Sequence, residues 1–221
     1  MAKDKNSGKS WEQKRRGRSF GSLSERKCYL IVTNGVTEAV YLKHYRIPTG
    51  PIVKICKNVG VDPRKLVKRA ILERDVMIRR QDFDIKNDET WVVLDRDAND
   101  ADSQNKGRFN EALQIAANND ILVAYSNDAF ELWFVLHYQD LATPTHRNDL
   151  FSLLEKHRGK KYEKGKRIDL YEELRPLRDN AMRRAAKLHR DAAGKTPESS
   201  NPCTTVYLLL ERLMADPGFR R

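Results

Sequence analysis

The chain has no run approaching the roughly eighteen apolar residues that a membrane-spanning helix requires, and its basic N-terminus lacks the apolar stretch of a secretory signal. A soluble, cytoplasmic protein is expected. Only three cysteines occur, Cys28, Cys56 and Cys203, far apart and without a CxxC pairing. That spacing suggests neither a zinc site nor a disulfide framework and suits a reducing compartment. Cys28 and Cys56 fall in expected strands and read as buried, inert thiols. Acidic residues are also short: 31 Asp and Glu stand against 42 Lys and Arg, giving a formal charge of +11. Aromatics are sparse near the N-terminus, where Trp11 and Phe20 are the only ones in the first 24 residues.

The positive charge is clustered. Residues 1–27 carry nine Lys and Arg against three acids, and residues 156–195 carry fourteen against six. Such clusters suit a polyanion, nucleic acid first, because each neutralised phosphate releases a condensed counterion. A solvated helix face is the competing reading for the second cluster. Lys14, Arg15, Arg16 and Arg18 in the first cluster and Lys160, Lys161, Arg183 and Arg184 in the second are the candidate phosphate contacts.

At 221 residues the chain can bury one full core with a helical appendage. Residues 1–24, rich in Lys, Arg, Gly and Ser, read as a disordered basic arm. Residues 25–140 read as an α/β core and residues 141–221 as a basic helical region. In the core, Cys28 to Thr33 is a compact apolar run ended by Asn34-Gly35, and helical spacing follows from Thr37 to Tyr45. Pro51 to Cys56 predicts a second strand, and Asp62-Pro63 an N-cap with proline at the first helical position, opening a helix to about Arg80. Trp91 to Asp95, Lys106 to Asn118 and Ile121 to Tyr125 continue as strand, helix and strand. This alternation predicts an open parallel sheet covered on both faces. Beyond Arg147 only helices and loops are expected, with Asn201-Pro202 capping a last helix through Leu213.

The most informative segment is Trp91-Val92-Val93-Leu94-Asp95-Arg96-Asp97, an apolar strand that ends in two carboxylates. Where the extended backbone persists one residue beyond Asp95, strand alternation points Asp95 and Asp97 the same way, and such a pair can seat Mg²⁺, or Mn²⁺ in its place, for phosphoryl transfer. A solvated Asp-rich turn is the alternative, since Ala98 to Asp102 has turn-like composition. Asn34, Asp95, Asp97 and Ser126-Asn127 should all lie beyond the strands' carboxyl ends, where such sheets collect ligands.

Glu131 is the one acid in the apolar stretch Ala129 to Tyr138. It should either pair, with Arg96 or another cation, or ligate. His137 in the same stretch reads as a satisfied semi-buried histidine. Gly194-Lys195-Thr196 echoes the end of a P-loop, but His189 stands where its first glycine belongs, so ATP binding by this chain is not expected.

Four blocks in order carry a resemblance: Gly35-x-Thr37-Glu38-x-x-Tyr41, then Leu94-Asp95-Arg96-Asp97, then Ser126-Asn127-x-x-Phe130-Glu131-Leu132-Trp133 with His137, then Asn201-Pro202-x-Thr204. Over roughly residues 27–214 the chain resembles the RloB-like family of prokaryotic defence-associated proteins, whose core looks like a Toprim domain. The resemblance implies a Toprim-like open, mainly parallel sheet flanked by helices, with a helical C-terminal extension. It also implies a Mg²⁺-dependent nuclease in an anti-phage system, controlled by an AAA- or ABC-type ATPase partner, with Asp95 and Asp97 as metal ligands. An acid after the first strand would work near the attacked phosphate. Here the chain departs from the pattern, with Asn34-Gly35 where the family usually has Glu-Gly. A neutral amide neither takes a proton near neutral pH nor offers a charged ligand. Two readings follow: Glu38 or Glu131 assists catalysis in its stead, or the protein is a weakened, adaptor-like relative. Thr37 and Glu38 also suit the first turn of a helix for purely structural reasons.

Overall fold

A computed structural model describes residues 26–57, 62–96, 103–163 and 168–220. Asp97 and the arm containing Lys14, Arg15, Arg16 and Arg18 lie outside the described residues.

The strands are β1 (Cys28–Thr33), β2 (Ile52–Lys57), β3 (Glu89–Asp95), β4 (Leu122–Asn127) and β5 (Cys203–Thr204). They form one sheet in the order β2-β1-β3-β4-β5, parallel except where β5 pairs antiparallel with β4. Among the described residues the α-helices are α1 (Val36–Leu42), α2 (Pro63–Arg79), α3 (Ser103–Ala117), α4 (Glu131–Tyr138), α5 (Arg147–Arg158), α6 (Tyr171–Leu174), α7 (Arg178–Asp191) and α8 (Val206–Ala215).

The apolar run of β1 is buried on both faces, as a central parallel strand must be. Its side chains alternate between two cores. Tyr29 and Ile31 join α1, α4, α5, α7 and α8 on one face, whereas Cys28, Leu30 and Val32 join α2 and α3 on the other. Helix α2 begins as the sequence predicts: the Asp62 side chain accepts a hydrogen bond from the Arg64 backbone N–H at 2.9 Å, and Pro63 supplies the first turn.

The C-terminal extension is packed into the sheet's core, since Leu150, Leu174, Ala181 and Leu209 are buried in the same cluster as Tyr29 and Ile31. It also supplies a strand that the sequence does not announce. Two residues, Cys203 and Thr204, are too few to show a period of two. Their pairing is fixed by side chains: Ser126 and Thr204 hydroxyls meet at 2.8 Å, and the Tyr125 N–H donates to Thr205 Oγ1 at 2.9 Å. The expected Asn201-Pro202 cap is therefore corrected, because α8 starts at Val206 with Thr205 as N-cap. The Asn201 side chain instead accepts from the Thr145 N–H at 3.0 Å.

All three cysteines are free; Cys28 and Cys203 are buried and Cys56 is half-buried. Burial, then the nearby Asp88 carboxylate, pushes the Cys28 thiol up to about 11; burial likewise raises Cys56 and Cys203. Because the thiolate is the reactive species, Cys28 and Cys203 should resist N-ethylmaleimide at pH 7.5 in the native protein and react fully in 6 M guanidinium. Mass spectrometry of the intact chain reads the difference. Rapid native labelling of Cys28 would contradict the packing of β1.

Among the described residues, no helix is long and apolar enough to cross a membrane.

Candidate functional site

Strand order decides where a ligand can sit. From β1 the chain passes to β2 on one side and from β2 to β3 on the other, so the crossovers diverge between β1 and β3. Such a switch point opens a crevice beyond the strands' carboxyl ends. Asn34 and Glu38 follow β1, Asp95 ends β3, and Asn127 ends β4. The sequence expectation of a shared edge is met for these residues.

Glu38 lies in the first turn of α1 and is 4% exposed. Its carboxylate folds back over Gly35, where a Cβ would overlap the Glu38 oxygens. The backbone there, with φ −126°, suits any residue, and a side chain at position 35 would require the Glu38 carboxylate to move aside. Glu131, in the first turn of α4, is 1% exposed. Its Oε1 accepts a hydrogen bond from the Tyr162 hydroxyl at 2.8 Å. Its Oε2 is buried and has no hydrogen-bond partner among the described residues. A buried carboxylate oxygen without a donor is costly, so this atom suits a cation or a donor supplied from outside.

Tyr162 bonds Glu131 and lies within reach of the charge of Glu38. It is buried, and its backbone N–H is anchored on Glu155 Oε1 at 2.9 Å. Burial, then Glu131, raises the pKa of its phenol strongly, with a smaller push from Glu38, against a smaller opposing effect of its hydrogen bond with the Thr37 side chain. The hydroxyl therefore stays protonated and donates. Glu38, Glu131 and Tyr162 form one acidic patch although they come from α1, α4 and the loop after α5.

Asp95 lies level with Ser126 of β4, half-buried. Its charge reaches Arg147 at the start of α5, whose pKa burial lowers and Asp95 raises. The Arg147 backbone N–H donates at 3.1 Å to Asp128, a fully buried acid immediately after β4. His146 Nε2 stands 3.8 Å from the same Asp128 oxygen. Sequence reasoning missed Asp128; its position directly after an apolar strand was the signal available.

Arg96 is turned the other way by strand alternation, to the α3 face, where its charge meets Glu198. The Arg96–Glu131 pair left open by the sequence is therefore replaced by the Tyr162–Glu131 hydrogen bond. His137, seven-eighths of the way along α4, is buried and bonds through Nδ1 to the Trp133 carbonyl at 2.9 Å. Desolvation lowers its pKa from 6.5 to about 4. The unfolded chain takes up a proton near 6.5 while the folded one resists until about 4, so this contribution is complete above 6.5 and is lost as pH falls. Wild type minus His137→Leu should lose about 2 kcal/mol of stability between pH 7.5 and 5. Urea unfolding at the two pH values measures it, and an unchanged difference would mean that His137 takes up its proton in the fold as readily as in the unfolded chain.

Lys160 and Lys161 are exposed and directly precede Tyr162. Arg183 is exposed on α7 and bonds to Asn180 at 3.2 Å. Arg184 is engaged elsewhere: it donates to the carbonyls of Leu136 and His137 at 2.9 and 3.1 Å, closing the C-terminal end of α4.

Oxygen donors of this kind suit a hard divalent cation. Among the described residues no group of three or more His, Cys, Asp and Glu side chains is set to hold a metal; Asp97, the second expected ligand, lies outside them. No match was found among curated proteins or among solved structures. The family model described as RloB-like protein matches residues 29–213, and the chain belongs to the RloB-like family.

Proposed function

We propose that this chain is a Toprim-like, Mg²⁺- or Mn²⁺-dependent phosphodiesterase acting on nucleic acid. The observation that carries the reading is the gathering of acids from separate elements beyond the strands' carboxyl ends, with a buried Glu131 oxygen that has no donor among the described residues. Asp95 and Asp97 would hold the cation, which neutralises charge on the attacked phosphate. Glu131 is oriented by Tyr162. Glu38, stabilised in the first turn of α1, is placed to take a proton. Lys160 and Lys161 flank the patch as phosphate contacts, joined by the basic arm. Family membership supports an effector role in anti-phage defence and control by an ATPase partner. Arg184 contributes to the fold of α4 in this scheme, leaving phosphate contact to its exposed neighbours.

Asn34 favours a second reading, an adaptor that keeps the scaffold and binds nucleic acid or the partner ATPase without turnover. Titration with Mn²⁺, followed by electron paramagnetic resonance, separates the two. Wild type should bind Mn²⁺ stoichiometrically. Asp95→Ala/Asp97→Ala should weaken that site at least tenfold while oligonucleotide binding persists. A folded wild type that takes up no Mn²⁺ would leave the adaptor.

A further inference from the structure

We infer that a groove between α1 and the sheet's edge strand β2 binds a single-stranded segment of the nucleic acid, leading it to the acidic patch. The inference rests on the nucleic-acid reading above. It requires no metal.

Among the described residues β2 pairs with β1 alone and forms the edge of the sheet. Alternation places Val53, Ile55 and Lys57 on the α1 face, Val53 in the core and Lys57 exposed. Helix α1 packs over β1 and β2 but leaves a concavity of about 450 Å³ beside Ile55. That is within the range of roughly 300–1,000 Å³ typical of sites for small organic groups, and a nucleotide unit falls in that class.

The walls differ in character. Val36, Ala39 and Val40 of α1 and Ile55 of β2 make an apolar floor. Lys43, Arg46 and Lys57 line the rim, with Asp169 as the one acid. Asp169 is already met by Lys43 at 3.0 Å and by His44 at 2.7 Å. Arg46 and Lys57 are exposed, and among the described residues no carboxylate lies within ion-pair distance of either. The unspent charge of the groove is thus positive.

Its position selects the occupant. Lys57 is level with Thr33 in the sheet register, and Val36 follows Asn34-Gly35. The groove therefore opens at the same carboxyl edge as Glu38. A chain of phosphates with bases between them fits a basic rim over an apolar floor, and it continues into a site for the same chemistry. Duplex would need a broad basic surface, whereas among the described residues the unpaired cations here are Arg46 and Lys57 at the rim of one groove.

Fluorescence anisotropy of labelled 12-nucleotide single strands, RNA and DNA, tests this in EDTA with the full chain. Arg46→Glu/Lys57→Glu is compared with Lys65→Glu/Lys68→Glu, exposed residues of α2 on the opposite face that give the same change in net charge. The groove variant should lose at least thirtyfold in affinity, and its salt slope should flatten by about 1.4, the value for two phosphate contacts on a single strand. The α2 variant should lose less than threefold. Ala39→Trp, which fills the floor without changing charge, should weaken binding about tenfold with the slope retained. Equal losses in the two charge variants, or full affinity in Ala39→Trp, would overturn the inference. Its failure is distinct from that of the enzyme reading: Mn²⁺ binding at Asp95 is read separately and does not involve Arg46 or Lys57.

Discussion

Asn34→Glu should raise metal-dependent phosphodiester cleavage by about 10²- to 10⁴-fold, the usual worth of a positioned acid or base. Asn34 directly follows β1 and stands at the switch point, one residue before the glycine over which Glu38 folds. The amide offers an oxygen of the right size but no charge and no proton affinity near neutrality. Glutamate restores both, and the half-exposed position keeps its ionised form solvated. The readout is the initial rate on a labelled single strand in Mn²⁺, wild type against variant. Asn34→Gln is the control for side-chain length and should leave the rate unchanged. If glutamate adds nothing while wild type cleaves, the proton passes through Glu38, and Glu38→Gln should then remove the activity. If neither protein cleaves any strand, the catalytic reading falls and the adaptor stands.

Strands β1 to β4, the intervening helices and the Asp62 cap are legible because each is written in contiguous residues. Apolar runs bounded by Asn34-Gly35 or by proline are local signals, and alternation of strand and helix restricts the sheet to few topologies. The acids at the strand ends were visible for the same reason. What closes the site was not. Tyr162 reaches Glu131 across 31 positions, from a loop with no periodicity. β5 pairs with β4 across 78 positions through two residues whose only mark is a hydroxyl. Arg184 looked like a free cation in a basic block, yet it satisfies the carbonyls that end α4, 47 and 48 positions away. Composition reports that a cation exists. Only the tertiary packing assigns it to a helix end instead of a phosphate.

Phe134→Ala should cost about 3–5 kcal/mol, the usual loss for a fully buried aromatic. Phe134 is 1% exposed in the middle of α4. Its ring stands edge-on to Tyr41 of α1 at 5.4 Å and to Phe130 at 5.3 Å, so two aromatic pairs are lost with its burial. Against a total of about 5–15 kcal/mol the change is severe, and for a chain this long it should lower Tm by on the order of 10 °C. Denaturant unfolding and calorimetry measure it, and a loss below about 1 kcal/mol would mean that neighbouring side chains collapse into the space. The effect should extend beyond stability. Tyr41 belongs to the helix that carries Glu38, and Phe134 to the helix that carries Glu131. The aromatic contact therefore helps to set the spacing of Glu38 and Glu131 around Tyr162. Phe134→Leu keeps most of the apolar volume but loses the edge-on geometry. It should retain most of the stability, near wild type within about 1.5 kcal/mol, while shifting that spacing. Cleavage reduced more than Mn²⁺ affinity in Phe134→Leu would locate the defect between Glu38 and Glu131, away from Asp95.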